Sequence, residues 1–402
     1  MTSVRLPAPA LRLLKDVCSL PTAPFREEQV QEFILFFAQE HGFEAITDRA
    51  GNIALEYRPA GKKRGKLPRA VAFTAHMDHP GFLVTSFDES RCVGVAEVRG
   101  GVPASQFPGQ GLIFFSNGAY VKATATTEFR RENTEPGTFA TIEFETSKQR
   151  EVEPGAIGWH DVVFARATGD RFHTKSADCL AQVALELGLL LRLKEADANA
   201  HVYCLFTRAE EVGFVGAGAL VNGGLMPPED VPLIVLECSK WIAGVAEINK
   251  GPVLRVGDAA TVYDADVDRW MLATAREMQR VSKEESEKAP GKKKPEVFSF
   301  QRALMTGGVC EAGLYARHRA HVGALALPLG NYHNAGEKGG EPEVIGLMDC
   351  AWQLDLMEGL AVAPFDPDAA DPLLERLEKT HAKLNVHLEG SEFASRKVGK
   401  KG

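Results

Sequence analysis

Apolar residues recur along this chain in two rhythms. Thr22 to His41 carries Val30, Phe33, Ile34 and Phe37 at helical spacing, with Pro24 near its start, and reads as an amphipathic helix. Asp48 to Tyr57 reads as a turn at Gly51-Asn52 followed by a strand. Gly61 to Arg69 is a basic, glycine-containing loop, and Val71 to Ala75 is a short apolar run leading straight to His76, as a buried strand would. From about Phe82 to Ala165 the texture changes. Short β-prone pieces, such as Gly111 to Phe115, Ala119 to Ala125 and Phe139 to Phe144, are punctuated by Gly and Pro, which predicts a small all-β domain. Strand and helix then alternate: a helix over Ala177 to Leu193, apolar runs at Val202 to Thr207 and Leu233 to Leu236, a helix from about Asp266 to Val281, a strand at Ala324 to Leu329 and a closing helix over Pro342 to Leu360. Ser282 to Glu296 has no apolar pattern and reads as a charged, lysine-rich loop. After Phe365 there is one candidate helix, Leu373 to Leu384, and a basic tail, Lys397 to Gly402.

Such alternation predicts an α/β fold, with a mostly parallel central sheet flanked by helices and a small all-β domain inserted into it. The expected boundaries are an α/β domain over residues 1–82 and 166–364, the insertion over 83–165 and a C-terminal extension over 365–402. No internal repeat is present.

Composition narrows the setting. The 402 residues are 45% hydrophobic and 25% charged, enough for a substantial core. A net charge of −8 disfavours nucleic acid as a partner. The 7 cysteines are scattered and form no CxxC pair, so neither a disulfide framework nor a zinc knuckle is expected. Neither a signal peptide nor a membrane span is apparent, which makes the cytoplasm the expected location and excludes a membrane partner.

Polar residues then gather where the apolar runs end. His76 and Asp78 follow Val71 to Ala75, Glu210 and Glu211 follow Val202 to Thr207, Glu237 follows Leu236, and His333 follows Ala324 to Leu329. Ligands of open α/β sheets collect beyond the carboxyl ends of the strands, so these groups would meet in one crevice. Asp178 joins them at the start of a helix, where a negative side chain is favoured. Two histidines and several carboxylates make a mixed N/O set suited to Zn, Co or Mn. Asp78 is placed to orient the His76 imidazole, and the adjacent glutamates can divide labour, one binding metal while the other moves a proton. Taken singly, each is more often a satisfied histidine or a solvated acidic face. Their coincidence at strand ends is what points to a site.

The segments Ala75-His76-Met77-Asp78-His79-Pro80-Gly81-Phe82 and Glu210-Glu211-Val212-Gly213-Phe214-Val215-Gly216-Ala217, with Asp178 in Ser176-Ala177-Asp178-Cys179-Leu180, resemble the tetrahedral (glutamyl) aminopeptidase family, within the wider group of cocatalytic metallopeptidases. The resemblance runs from about Leu11 to Ala361. A β-rich insertion between the first His and the Asp is also similar to this family, whereas the related carboxypeptidase and acylase branch places its extra domain after the acidic ligand. The resemblance implies a phosphorylase/hydrolase-like metallopeptidase fold and two divalent metal ions, zinc foremost with cobalt or manganese as alternatives. His76 and Glu237 would hold one ion and Glu211 and His333 the other, with Asp178 bridging them. Glu210 would be the general base and Asp78 the support of His76. It further implies an aminopeptidase acting on peptide substrates, assembled as a homo-oligomer through its inserted domain. A deacylase, a carboxypeptidase and a non-catalytic metal-binding homologue are the alternatives.

Three positions depart from the family pattern. His79 stands where an acidic residue is usual, Cys179 follows the bridging Asp where Asp or Asn is common, and Gly330-Asn331-Tyr332 leads to His333 without the usual basic residue. Glu311 matches an acidic position near the site, where a substrate contact and a structural turn are equally expected. The glycines from Gly213 to Gly218 are expected to serve close backbone packing. Cys238 is expected to be a buried structural thiol rather than a reactive one.

Overall fold

A computed structural model describes residues 6–61, 67–130, 135, 137–147, 151–290, 294–367 and 372–389. The chain divides into a large unit ending at Phe365 and a C-terminal unit beginning at Asp366.

The large unit is organised by an eight-stranded sheet in the order β1-β2-β12-β3-β13-β16-β14-β15. Its members are β1 (Glu44–Thr47), β2 (Ile53–Tyr57), β3 (Val71–His76), β12 (Val202–Thr207), β13 (Leu233–Lys240), β14 (Val253–Gly257), β15 (Gln301–Leu304) and β16 (Val322–Leu329). The central four, β12, β3, β13 and β16, are parallel, while β1, β2 and β14 pair antiparallel to their inner neighbours. β3 and β16 are buried along their whole length, as is β13 except for Lys240. That is why they read as continuous apolar runs rather than alternating ones. Each fully buried Val, Leu, Ile or Phe contributes about 1.5–3 kcal/mol.

Helices cover both faces. On one lie α1 (Ala8–Val17), α2 (Glu28–His41), α3 (Leu180–Glu195), α5 (Ala265–Lys288) and α7 (Leu347–Val362), sharing the main core. On the other lie α4 (Val215–Gly223) and α6 (Glu311–Tyr315). Residues between β3 and α3 form a closed antiparallel barrel, β4-β5-β8-β7-β6-β9, from β4 (Gly81–Asp88), β5 (Val93–Arg99), β6 (Gly111–Ser116), β7 (Ala119–Ala125), β8 (Ala140–Thr146) and β9 (Ile157–His160). It has its own core, centred on Phe82, Phe114 and Phe144. A small third sheet joins β10 (Ala165–Thr168), β11 (Arg171–Thr174) and β17 (Glu343–Gly346). The C-terminal unit holds α8 (Pro372–Glu389), longer at both ends than the expected Leu373 to Leu384.

Several expectations need correction. The helix expected from Thr22 begins only at Glu28, because Pro21, Pro24 and a left-handed Phe25 (φ 69°) keep the preceding residues irregular. The loop expected over Ser282 to Glu296 is helical as far as Lys288. Glu and Lys are strong helix formers, and the pairs Arg280–Glu284 and Glu284–Lys288 support the exposed face where an apolar stripe is missing. Ser282 and Ser286 then fasten that helix to the returning segment at Phe298 and Pro295. The helix expected from Pro342 begins at Leu347, since Glu343–Gly346 is strand β17. The basic tail Lys397–Gly402 and part of the Gly61 to Arg69 loop lie outside the described residues.

Candidate metal centre

His76 is the last residue of β3, and the chain turns from it through Met77, Asp78 and His79 directly into barrel strand β4. Glu210 and Glu211 occupy a single 3-10 turn after β12, between left-handed Ala209 (φ 52°) and Gly213 (φ 110°). Glu237 lies within β13 rather than after it. His333 sits in the turn beyond β16, itself left-handed (φ 54°). Asp178 stands just before the N-cap of α3 rather than in its first turn. Three parallel strand ends, one position inside a fourth parallel strand and one helix entry thus converge, and all of these residues are buried or nearly so.

The donors fall into groups whose ligand atoms lie within 4.8 Å of one another: His76, Asp178, Cys179 and Glu237; His76, Glu210 and Glu211; and Asp178, Glu211 and His333. The His76 Nε2 is 3.5 Å from Asp178 Oδ1, and the His333 Nε2 is 3.7 Å from Asp178 Oδ2 and 3.2 Å from Glu211 Oε1. Each ring has a carbonyl at its other nitrogen: Asp78 O at 3.1 Å from His76 Nδ1, and Gly101 O at 3.1 Å from His333 Nδ1. Such a partner holds the proton on Nδ1 and turns the Nε2 lone pair toward the carboxylates, as metal-ligating histidines require. A Cβ on Gly101 would lie 2.7 Å from His333 Nδ1, so the absence of a side chain there lets the barrel loop reach the ring.

Electrostatics agree on what this cluster wants. Burial alone would lower His76, yet Glu210, Asp178 and Asp78 outweigh it and hold the imidazole well above its ordinary range. His333 behaves likewise, against burial, through Glu211 and Asp178. Burial pushes Glu210 well up, with Glu211, Glu237 and Asp78 adding to it against His76. Burial and Asp178 push Glu237 up to about 8. Asp178 goes the other way: the His333 and His76 rings beside it overcome its burial and hold it below the carboxylate range. Histidines drawn toward the protonated form beside glutamates driven toward neutrality describe a cavity short of positive charge. Asp178 Oδ1, Glu237 Oε1 and His333 Nε2 are buried without a hydrogen-bond partner. Divalent cations with N and O ligands fit such a set.

The structure also gives roles that sequence reasoning missed. The carboxylate of Asp78, expected to orient His76, accepts the backbone N–H groups of Glu210 (2.9 Å) and Glu211 (3.1 Å), with its Oδ1 3.5 Å from His76 Nδ1. Glu27 accepts the N–H groups of Phe25 and Ala209 and the Arg208 Nε. Cys179 donates to Leu236 O and Cys238 to Ala177 O, so the two thiols fasten the Asp178 and Glu237 segments to each other. Burial pushes the Cys238 thiol up to about 11, which makes it an inert structural group. Glu311 is buried, and burial raises it to about 7 against His76. Gly216 packs against backbone, where a Cβ would come 2.3 Å from Arg208 O.

Histidines and carboxylates collected at the ends of parallel strands define a metallohydrolase class of site, and comparison with known proteins narrows it. Residues 59–283, over half the chain, match the M42 glutamyl aminopeptidase family, and the chain belongs to that family. It is therefore a hydrolase acting on peptides, of a family that depends on metal. Among solved structures, the fold is similar to the TET1 peptidase of Pyrococcus horikoshii, which can assemble into a tetrahedron or a large octahedral shell (20% identity, 88% of this chain and 99% of that one, TM-score 0.66). It is also similar to an aminopeptidase of the archaeon Desulfurococcus kamchatkensis (18% identity, 89% and 96%, TM-score 0.67) and to an endoglucanase of Thermotoga maritima (18% identity, 87% and 96%, TM-score 0.60). The cytosol non-specific dipeptidase of Escherichia coli is 32% identical over 72 residues, and the match spans only 14% of that protein's length. Among the described residues, no helix is long and apolar enough to cross a membrane.

Proposed function

We propose that this chain is a dinuclear metal-dependent aminopeptidase that removes N-terminal residues from peptides. The observation that carries this reading is the sharing of Asp178 between two donor groups, one with His76 and Glu237 and the other with Glu211 and His333. His76 and Glu237 would hold one ion, Glu211 and His333 the second, and Asp178 both. When bound, divalent ions supply Lewis acidity, lowering the pKa of water and drawing charge from a carbonyl oxygen. Glu210 takes the proton of the attacking water and returns it to the leaving amine. Asp78 keeps Glu210 and Glu211 in place through their backbone amides. The free α-amine of the substrate binds beside the ligands, which gives the exopeptidase preference.

Zinc is the expected ion and the cytoplasm the expected location. The α/β unit of residues 1–82 and 166–364 carries catalysis. The barrel region, 83–165, serves assembly or substrate access, and the residues after Phe365 are an extension. Assembly into a homo-oligomer follows the example of the TET1 peptidase. The glucanase among the similar folds does not favour glycoside cleavage here. Glycoside cleavage needs a carboxylate pair flanking a sugar, whereas these carboxylates interleave with two histidines in sets suited to metal.

The test is hydrolysis of an aminoacyl-anilide panel by metal-stripped protein reloaded with Zn, Co or Mn, beside Glu210→Gln. Metal-dependent release is expected, falling about 10²–10⁴-fold in the variant with bound metal unchanged. No turnover with any residue, despite two bound ions per chain, would sink the aminopeptidase reading in favour of an acylated substrate or a non-catalytic role.

A further inference from the structure

Glu343 opens β17, directly after Pro342, and is completely buried. Its Oε2 accepts the backbone N–H of Ala177 at 2.6 Å and of Asp178 at 3.2 Å, and its Oε1 accepts the N–H of His333 at 2.8 Å. One carboxylate therefore grips two segments distant in sequence, each carrying a candidate ligand. The same Oε2 faces the Nε2 of His79 at 3.2 Å, and the other ring nitrogen of His79 faces Pro80 O at 3.0 Å. His79 follows the turn that carries His76 and Asp78, so a third segment meets the same carboxylate.

The His333 turn has reason to need an anchor. Asn331, His333 and Asn334 all adopt left-handed backbone (φ 54°, 54° and 58°), a conformation that costs energy without glycine and persists only where the surroundings hold it. The Asn331 side chain donates to Pro342 O, and Gly330 and Val344 exchange backbone bonds, so the turn is clamped to the chain on both sides of Glu343. Glu343 supplies the acceptor for the backbone N–H of the ligand residue itself.

We propose that Glu343, with His79 as its buried partner, is the positioning residue that sets Asp178 and His333 at the spacing a metal pair requires. The proposal rests on the reading that these two residues are ligands. Glutamine at 343 keeps the volume, but it turns an amide N–H₂ toward backbone N–H donors and releases one of the two segments. Buried partners that orient ligands in this way typically change metal affinity 10–100-fold when replaced. An acidic residue at position 79 would set a second carboxylate against Glu343.

The experiment measures Co²⁺ and Zn²⁺ affinity of the full chain by competition with a chromophoric chelator, together with the visible absorption of the Co²⁺-loaded protein, which reports ligand geometry. Glu343→Gln, Glu343→Asp and His79→Gln run beside wild type and His333→Ala, and thermal unfolding of each metal-free protein is recorded. Expected are a 10–100-fold loss of affinity and an altered cobalt spectrum in Glu343→Gln, with a smaller loss in Glu343→Asp and His79→Gln. Wild-type affinity and spectrum in Glu343→Gln would overturn the proposal, even if metal-free stability fell. If Glu343→Gln does not fold, Glu343→Asp decides in the same terms, since it keeps the charge but withdraws the acceptors by one methylene. If His333→Ala binds metal like wild type, the ligand reading itself is wrong, and that result is separate from the behaviour of Glu343.

Discussion

Asp78 commits both carboxylate oxygens to the amides of Glu210 and Glu211, while its backbone carbonyl holds His76 Nδ1. Glu27 acts similarly one residue upstream, at Ala209. Acidic side chains here hold backbone as well as facing the cluster. In Asp78→Asn one of the two amides faces an N–H₂ group and loses its acceptor, a loss of about 1.5–3 kcal/mol for a bond to a charged group. The expected result is metal affinity weakened about 10–100-fold, measured by chelator competition, with the protein still folded. Unchanged affinity would remove Asp78 from the positioning set. His76, Asp178, Glu210, Glu211, Glu237 and His333 were legible in the sequence because each stands at the end of an apolar run or in a dense motif. Glu343 was not: a single Glu after a Pro has no period and no spacing to mark it, and its contacts arise only when β17 returns beside the His333 turn.

Among the elements, the barrel carries a buried histidine that no polar group satisfies. His160 ends β9 against Phe82 and Phe107, and both ring nitrogens lack a partner. Burial, with His79 nearby, lowers its pKa to about 3 from an ordinary 6.5. The unfolded chain therefore binds a proton between these values that the folded chain refuses, so stability rises with pH across that window. The contribution is intact above about 6.5 and is lost as pH falls toward 3. At about 1.4 kcal/mol per tenfold difference, the loss is on the order of 4 kcal/mol at the lower end. In His160→Phe, melting temperature against pH should be flatter than wild type between pH 4 and about 6.5; an equally steep profile would assign acid sensitivity elsewhere. Element boundaries show where sequence patterns lose force. β3, β13 and β16 were visible as apolar runs because both faces are covered. The end of α5 was not, because a helix held by Glu, Lys and Arg pairs leaves no apolar stripe. β17 was absorbed into α7 because four buried residues next to a long apolar helix carry no boundary of their own.

At the scale of the molecule, the large unit closes on itself at Phe365. That ring packs against Trp270 and His321, Arg69 donates to the Phe365 carbonyl, and among the described residues every member of the buried clusters lies at or before this residue. Each candidate ligand and each carboxylate that positions one belongs to the same unit. In the C-terminal unit, α8 shows Leu374, Leu377, Leu384 and Leu388 at 40–70% exposure and supplies no member of those clusters. Hydrophobic burial scales with area removed from water, and a helix that removes little should contribute little to folding stability. Deleting residues 366–402 should therefore leave the melting temperature within a few degrees of wild type, and metal affinity and turnover of a short aminoacyl substrate close to it. A truncated chain that precipitates, melts far lower or releases its metal would mean that the extension completes the core in the assembled protein. A truncated chain that keeps metal and turnover but changes its particle mass would make the extension an assembly element carried outside the catalytic fold.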